Sequence, residues 1–161
     1  MAVDMFINMG SKIKGESKDK VQGPKGDVEI HSWSFGMNQT GSSHLGGGSG
    51  AGKVSVSSLS IQKYVDKSSH ALIQNCCTGT HIDKMVLLCR KAGEKQENYI
   101  IITLYQCLIT SVGLGCAGDL ASESVSIDFA KFTFDYWTQD DKGITKSAGE
   151  FTYDIAGNAK E

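Results

Sequence analysis

The sequence contains a single proline and no apolar run long enough to cross a membrane. Its densest apolar run, Tyr99–Leu104, has the length of a strand, whereas a membrane helix needs about 18 such residues. The first residues also lack the basic segment followed by an apolar segment that marks a signal peptide. We therefore expect no membrane insertion and a protein that folds in the cytoplasm, with any export occurring without a cleaved signal peptide.

An excess of positive charge is also lacking, since 16 Lys and Arg residues face 18 Asp and Glu residues, for a net charge of −2. A surface that binds nucleic acid normally shows as a basic cluster. The nearest approach is a run of lysines interleaved with Glu16 and Asp19, which we interpret as a solvated loop; these lysines are Lys12, Lys14, Lys18 and Lys20. No nucleic-acid partner is predicted.

The five cysteines include no Cys-x-x-Cys pair, and the four histidines are scattered. Zinc sites need ligands paired at short spacing, and disulfide frameworks belong to oxidising compartments. We therefore predict no metal and no disulfide framework, and we expect the cysteines to act as small buried hydrophobic residues. A reactive thiol at Cys76 or Cys77 is the alternative.

Alternation with period two dominates the chain and predicts strands. Val28–Met37 shows it best: Trp33 and Phe35 share one face with His31, and Ser34 lies on the other. The remaining predicted strands are Val3–Met9, Val54–Gln62, Met85–Lys91, Tyr99–Thr110 and a last short one through Phe151, Tyr153 and Ile155.

The segment Ser124–Tyr136 changes phase between Phe129 and Phe132. A slip of one residue moves every side chain to the opposite face of a sheet. Two explanations remain open: a β-bulge re-aims the strand, or the strand crosses from one sheet packing to another. Both are features of curved sheets and barrels.

One helix is predicted between a cap at Asp66 or Ser68 and a C′ glycine at Gly79. Its apolar side consists of Ala71, Leu72, Ile73 and Cys76. Since no alternation of strands and helices follows, a doubly wound parallel sheet is disfavoured. The patterning indicates a single mostly β domain over 1–161, a small antiparallel barrel or sandwich with one external helix.

Two glycine motifs resemble nucleotide-binding loops. Gly47–Lys53 has the glycine and lysine spacing of a P-loop, but Val54 replaces the hydroxyl residue that would hold magnesium, and a strand pattern follows. Gly113–Gly118 fits G-x-G-x-x-G, yet no helical pattern follows it either. A nucleotide-binding enzyme acting through Gly47–Lys53 is the alternative function, and a monomeric sugar- or lipid-binding barrel is another; we predict no cofactor and no catalysis.

Several motifs together resemble the haemolysin-coregulated protein (Hcp) family, which forms the inner tube of the bacterial type VI secretion system. The motifs are Trp33-Ser-Phe-Gly-Met-Asn-Gln, Gly41-Ser-Ser-His44, Gly46-Gly-Gly-Ser-Gly-Ala-Gly-Lys-Val54 and Lys63-Tyr-Val-Asp-Lys-Ser68. The opening Met1–Phe6, then Gly15–Lys20, Arg90–Gly93 and Asp135-Tyr136, agree in order. The resemblance spans nearly the whole chain.

The resemblance implies a β-barrel of two sheets with an external helix, assembled as hexameric rings that stack into a tube. Its implied partners are further Hcp rings, a contractile sheath, a spike protein at the tip, and secreted effectors carried and chaperoned in the lumen. The protein would be cytoplasmic before assembly and then secreted to the medium or a target cell. Because the chain ends soon after its last predicted strand, we expect no effector domain of its own.

The resemblance also implies site residues. The glycine-rich loop from Thr40 to Lys53 would be the extended loop that contacts a neighbouring ring, and Ser34 would lie on the channel wall and contact effectors. The ring-stacking residues are Gly41, His44, Gly46, Gly47, Gly48, Gly50, Gly52 and Lys53.

Overall fold

The computed structural model describes residues 3–41, 52–91 and 95–161, and strands dominate them. The strands are β1 (Val3–Asn8), β2 (Val28–Ile30), β3 (Ser32–Ser34), β4 (Met37–Asn38), β5 (Ser55–Val56), β6 (Leu59–Tyr64), β7 (His81–Lys91), β8 (Asn98–Cys116), β9 (Ala121–Asp128), β10 (Lys131–Gln139), β11 (Thr145–Asp154) and β12 (Ala159–Lys160), and the helix is α1 (Ser69–Thr78). Every strand pair is antiparallel. The predicted mostly β class is confirmed.

Ten of the strands belong to one sheet that bends around a single core. The order β12-β11-β10-β8-β7-β1-β2 is extended from β8 through β9 and β6 to β3, and β4 pairs with β5 separately. Buried residues from β1, β2, β6, β7, β8, β9 and β10 form one cluster. The sheet is not a closed barrel, because β2 pairs with β1 while β3 pairs with β6.

The phase change near Phe129 is a change of partners. β9 ends at Asp128 and pairs with β6 and β8, whereas β10 begins at Lys131 and pairs with β8 and β11. The long strand β8 serves both neighbours, and Gln106, between the two pairings, has a positive φ of 55°. Neither explanation holds as stated, because β9 and β10 pair with the same strand β8 in one sheet, and only the second partner changes, from β6 to β11.

The predicted strand Val28–Met37 is divided into three. Trp33 and Phe35 pack against the core as predicted. His31 does not share their face, because it lies between β2 and β3, is exposed, and packs its ring 4.3 Å from that of Tyr64. The chain bends again at Gly36, whose carbonyl accepts the N–H of Ser57, so β3–β4 and β5–β6 form one bent hairpin.

The helix begins and ends close to the predicted positions. Asp66 accepts a hydrogen bond from the backbone N–H of Ser68 at 2.8 Å, and Gly79 has the left-handed φ of 64° expected of a C-terminal cap. The sequence predicts Ile73 on the apolar side of the helix, but its side chain is 39% exposed. Asn75 lies on the buried side instead. Within the described residues, no helix is long and apolar enough to span a membrane.

Candidate functional site

Strands β3, β6, β9 and the second half of β8 carry rows of serine on their outward face. Ser34 lies opposite Ser60, which lies opposite Ser126, which in turn lies opposite Ser111. The next outward positions form a second row, in which Ser32 lies opposite Gln62, Gln62 opposite Ser124, and Ser124 opposite Gly113. We call this surface the serine face; it consists of Ser32, Ser34, Ser60, Gln62, Ser111, Gly113, Gly115, Ser122, Ser124 and Ser126.

One inward row of the same strands is apolar throughout, which fixes the direction of the serine face. Trp33 pairs with Ile61, Ile61 with Val125, and Val125 with Val112. The Trp33 ring N–H also donates to the Cys89 Sγ at 3.1 Å. Since successive side chains of a strand point to opposite faces, burying this row leaves the serines outward.

The serine face carries no charged side chain, although 21% of the chain is charged. Its members bond among themselves, as where Ser124 donates to Gln62 Oε1 at 2.7 Å. The first carboxylate at its border is Asp128, which is held by the hydroxyl of Ser58. The result is an uncharged surface made mostly of small hydroxyl groups, with the exposed ring of Tyr64 beside Ser122.

Ser34 is exposed on β3, the strand at one edge of this surface, on the opposite side of that strand from Trp33 and Phe35. The facing direction inferred from the alternation is therefore confirmed. Its place on a channel wall stays a prediction.

The ring-stacking residues are only partly described. Gly41, Gly52 and Lys53 are exposed at the two ends of the segment that joins β4 to β5. The rest of the predicted contact, His44, Gly46, Gly47, Gly48 and Gly50, lies outside the described residues.

Neither glycine motif has the context of a nucleotide site. Lys53 is followed by strand β5, so the helix that a P-loop places after its lysine is not there. Gly113 and Gly115 belong to β8, and Gly118 has a φ of +88° in the turn to β9. The second motif is thus part of a β-hairpin.

The strands β10, β11 and β12, which we call the flange, extend an apolar face beyond the core. Phe132 is buried, whereas Tyr136 and Phe151 on the same face are 40% and 43% exposed. Along its outer side β11 pairs, among the described residues, only with β12 at Tyr153 and Asp154. The alternation of aromatic residues in β10 was visible in the sequence, but their exposure depends on the tertiary position of the flange.

Two ionic clusters, one fully buried and one partly buried, were not predicted. Lys63 Nζ lies 2.9 Å from Glu123 Oε2, and both side chains are fully buried. Arg90 lies 2.6 Å from Asp19 and 3.0 Å from Asp4. A signal existed for the first pair, because Lys63 and Glu123 occupy inward positions of their alternating strands.

The cysteines divide by burial. All five are free; Cys89 and Cys107 are buried, and burial raises the pKa of the Cys107 thiol to about 12. The expectation of buried cysteines holds for these two and fails for Cys77 and Cys116, which are exposed. The described residues hold no group of three or more metal-ligating side chains.

Comparison with known proteins identifies the family. The family model described as "Type VI secretion system effector, Hcp" matches residues 6–136. The chain is 46% identical to the Hcp1 protein of Pseudomonas aeruginosa over 95% of its length and 94% of that protein's. The crystal structure of Hcp1 from Salmonella typhimurium matches with 29% identity and a TM-score of 0.79, covering all of both chains. A structure of a type six secretion system protein has the same fold, with a TM-score of 0.90 at 22% identity over 99% of this chain and all of that one. The chain belongs to the Hcp family of secreted type VI secretion system proteins.

Proposed function

We propose that this chain is a structural subunit of the type VI secretion inner tube, which forms hexameric rings that stack and carry effectors in their lumen. The supporting observation is the flange, where an exposed apolar face occurs beside an edge of β11 that, among the described residues, is unpaired beyond its C-terminal contact with β12 and the chain end. Exposed apolar surface favours association, and an open strand edge offers unmet hydrogen-bonding groups to another chain. A ring in which each flange meets the next subunit would cover both features in every copy.

The serine face supports the second half of the proposal. A channel that passes folded cargo should present few fixed charges and little apolar surface, because either would hold cargo in place. The serine face meets the first condition and, apart from the exposed ring of Tyr64 beside Ser122, the second as well. Ser34 lies within this surface. The glycine-rich segment joining β4 to β5 leaves from the end of a hairpin, a position suited to contact with a neighbouring ring.

Substitution of Phe151 with aspartate should prevent ring formation, because the flange would then carry a charge at the centre of its exposed apolar face. Light scattering on a sizing column, followed by electron microscopy, should show six-membered rings for the native chain and monomers for Phe151→Asp. Val21→Asp is the matched control, since Val21 is 54% exposed in the loop between β1 and β2, which is not part of the flange. A native chain that stays monomeric at all concentrations, or rings that persist in Phe151→Asp, would contradict the proposal.

A gold label at position 34 should appear inside the ring. The label would be attached to Ser34→Cys in a chain whose exposed Cys77 and Cys116 are replaced by serine, and its position read by electron microscopy. The same label on Val21→Cys should appear outside the lumen. If the Ser34 label lies on the outer circumference, the assignment of the serine face to the lumen is wrong.

A further inference from the structure

The loop formed by residues 9–27, here called the lysine loop, has a more positive surface than its sequence suggests. The sequence mixes five lysines with three carboxylates, but two of the carboxylates turn inward. Asp19 binds Arg90 at 2.6 Å, and buried Asp27 accepts a hydrogen bond from Asn8 at 2.6 Å. All five lysines are exposed: Lys12, Lys14, Lys18, Lys20 and Lys25.

The lysine loop is held in one shape. Ile13 is fully buried, and the backbone N–H of Gly15 donates to the carbonyl of Gly26 at 2.9 Å. A Cβ at Gly15 would lie 2.3 Å from the Asp27 carbonyl oxygen, so glycine is required there for close approach. The lysine backbones are therefore pre-positioned, and a partner would have less backbone freedom to restrict on binding.

The five lysines are also uncompensated within the described part of the chain. None of them lies within ion-pair distance of a carboxylate there. Five exposed lysines along one loop, with Glu16 as the exposed carboxylate among them, oppose folding through mutual repulsion and contribute nothing to the core. Such a surface gains most from a partner that brings negative charge.

We propose that the lysine loop is a docking surface for an acidic protein surface. A protein partner fits better than nucleic acid on three grounds. The loop presents lysine without arginine, it holds no aromatic side chain on which a base could stack, and the chain as a whole has a net charge of −2. In addition, Val21 is 54% exposed among the lysines, which suits an apolar contact rimmed by charge.

The lysine loop lies over β1, a strand that belongs neither to the serine face nor to the flange. Phe6 of β1 is buried outside the main core cluster, and the Arg90 guanidinium covers its ring at 5.1 Å. Because Arg90 also binds Asp19, the lysine loop lies over the outward side of β1. The proposal consequently does not depend on ring formation.

The test uses the full chain, fluorescently labelled poly-L-glutamate as the acidic probe, and a labelled DNA duplex for comparison. Replacing the five lysines of the loop with glutamine should weaken poly-L-glutamate binding by about tenfold, because several individually weak exposed ion pairs are lost together. The matched control replaces five exposed lysines elsewhere and should change binding by less than about twofold. These are Lys84, Lys95, Lys142, Lys146 and Lys160.

A second measurement needs no substitution. Acetylation of the native chain, read by mass spectrometry, should be slowed by poly-L-glutamate at the five loop lysines and not at the five control lysines. Four results would each overturn the proposal. The two variants could lose the same poly-L-glutamate affinity, or poly-L-glutamate could protect the loop and control lysines equally from acetylation. The native chain could also fail to bind poly-L-glutamate, or bind the duplex more tightly.

Discussion

Replacing Glu123 with alanine should lower the free energy of unfolding by about 3–5 kcal/mol at neutral pH, because it leaves a buried lysine without its closest carboxylate. Lys63 Nζ lies 2.9 Å from Glu123 Oε2, and neither side chain is exposed. The hydroxyl of Ser69 donates to the same carboxylate oxygen at 2.6 Å. Urea unfolding at one fixed protein concentration measures the change.

Two further variants test whether the loss of stability in Glu123→Ala comes from the unpaired buried charge. Glu29→Ala, at the exposed position of β2, should change the unfolding free energy by less than about 0.5 kcal/mol. Removing both charges in Lys63→Met with Glu123→Leu should be less harmful than Glu123→Ala alone, because no unpaired ion remains. A loss below about 1 kcal/mol for Glu123→Ala, or a double variant less stable than the single one, would contradict the interpretation.

The position of this pair explains why it matters for the proposed lumen. Lys63 belongs to β6 and Glu123 to β9, two strands of the serine face, and Lys63 also binds Asp66 at 3.1 Å. Asp66 in turn accepts the backbone N–H of Ser68 at the start of α1. The cluster therefore ties the helix to the sheet that carries the serine face, and its loss should loosen both together.

The positions of most strands could be predicted because alternation is a local property of the chain. The partners could not, because pairing depends on contacts between distant segments. The segment Ser124–Tyr136 illustrates this limit: its change of phase was visible, but the division into β9 and β10 follows from the two partnerships of β8. The pair Lys63–Glu123 was missed for the same reason, since 60 residues separate its members.

The candidate site could likewise be predicted only in part. The facing direction of Ser34 follows from its neighbours Trp33 and Phe35, whereas its row with Ser60 and Ser126 follows only from the register of three strands. The surface charge of the lysine loop differs most from what the sequence predicts. The interleaved charges predicted only a solvated loop, and the inward turn of two carboxylates depends on Arg90 and Asn8, which lie outside the loop.

Asp19→Asn should lower the free energy of unfolding by about 2–3 kcal/mol at pH 7. This loss is smaller than that for a buried ion left with no partner, because Asp4 remains bonded to Arg90. The Arg90 side chain is 3% exposed and Asp19 17%, whereas Asp4 is 41% exposed. Asp4→Asn is therefore the matched control and should remove less than about 1 kcal/mol. Urea unfolding of the three chains at one protein concentration gives the comparison.

The effect of Asp19→Asn should also depend on pH in a defined direction. The hydrogen bond from Arg90, followed by that from the backbone N–H of Gln22, holds the pKa of the Asp19 carboxyl well below its usual value of 3.8. A carboxylate with a lower pKa in the folded state stabilises fully above its unfolded-state pKa, and this stability is lost as the pH falls through the folded-state value. The difference between the native chain and Asp19→Asn should therefore stay constant from about pH 7 to about pH 5 and shrink below about pH 4. A difference as large at about pH 2 as at neutrality, or an equal loss in Asp4→Asn, would show that the contact between Asp19 and Arg90 does not anchor the lysine loop.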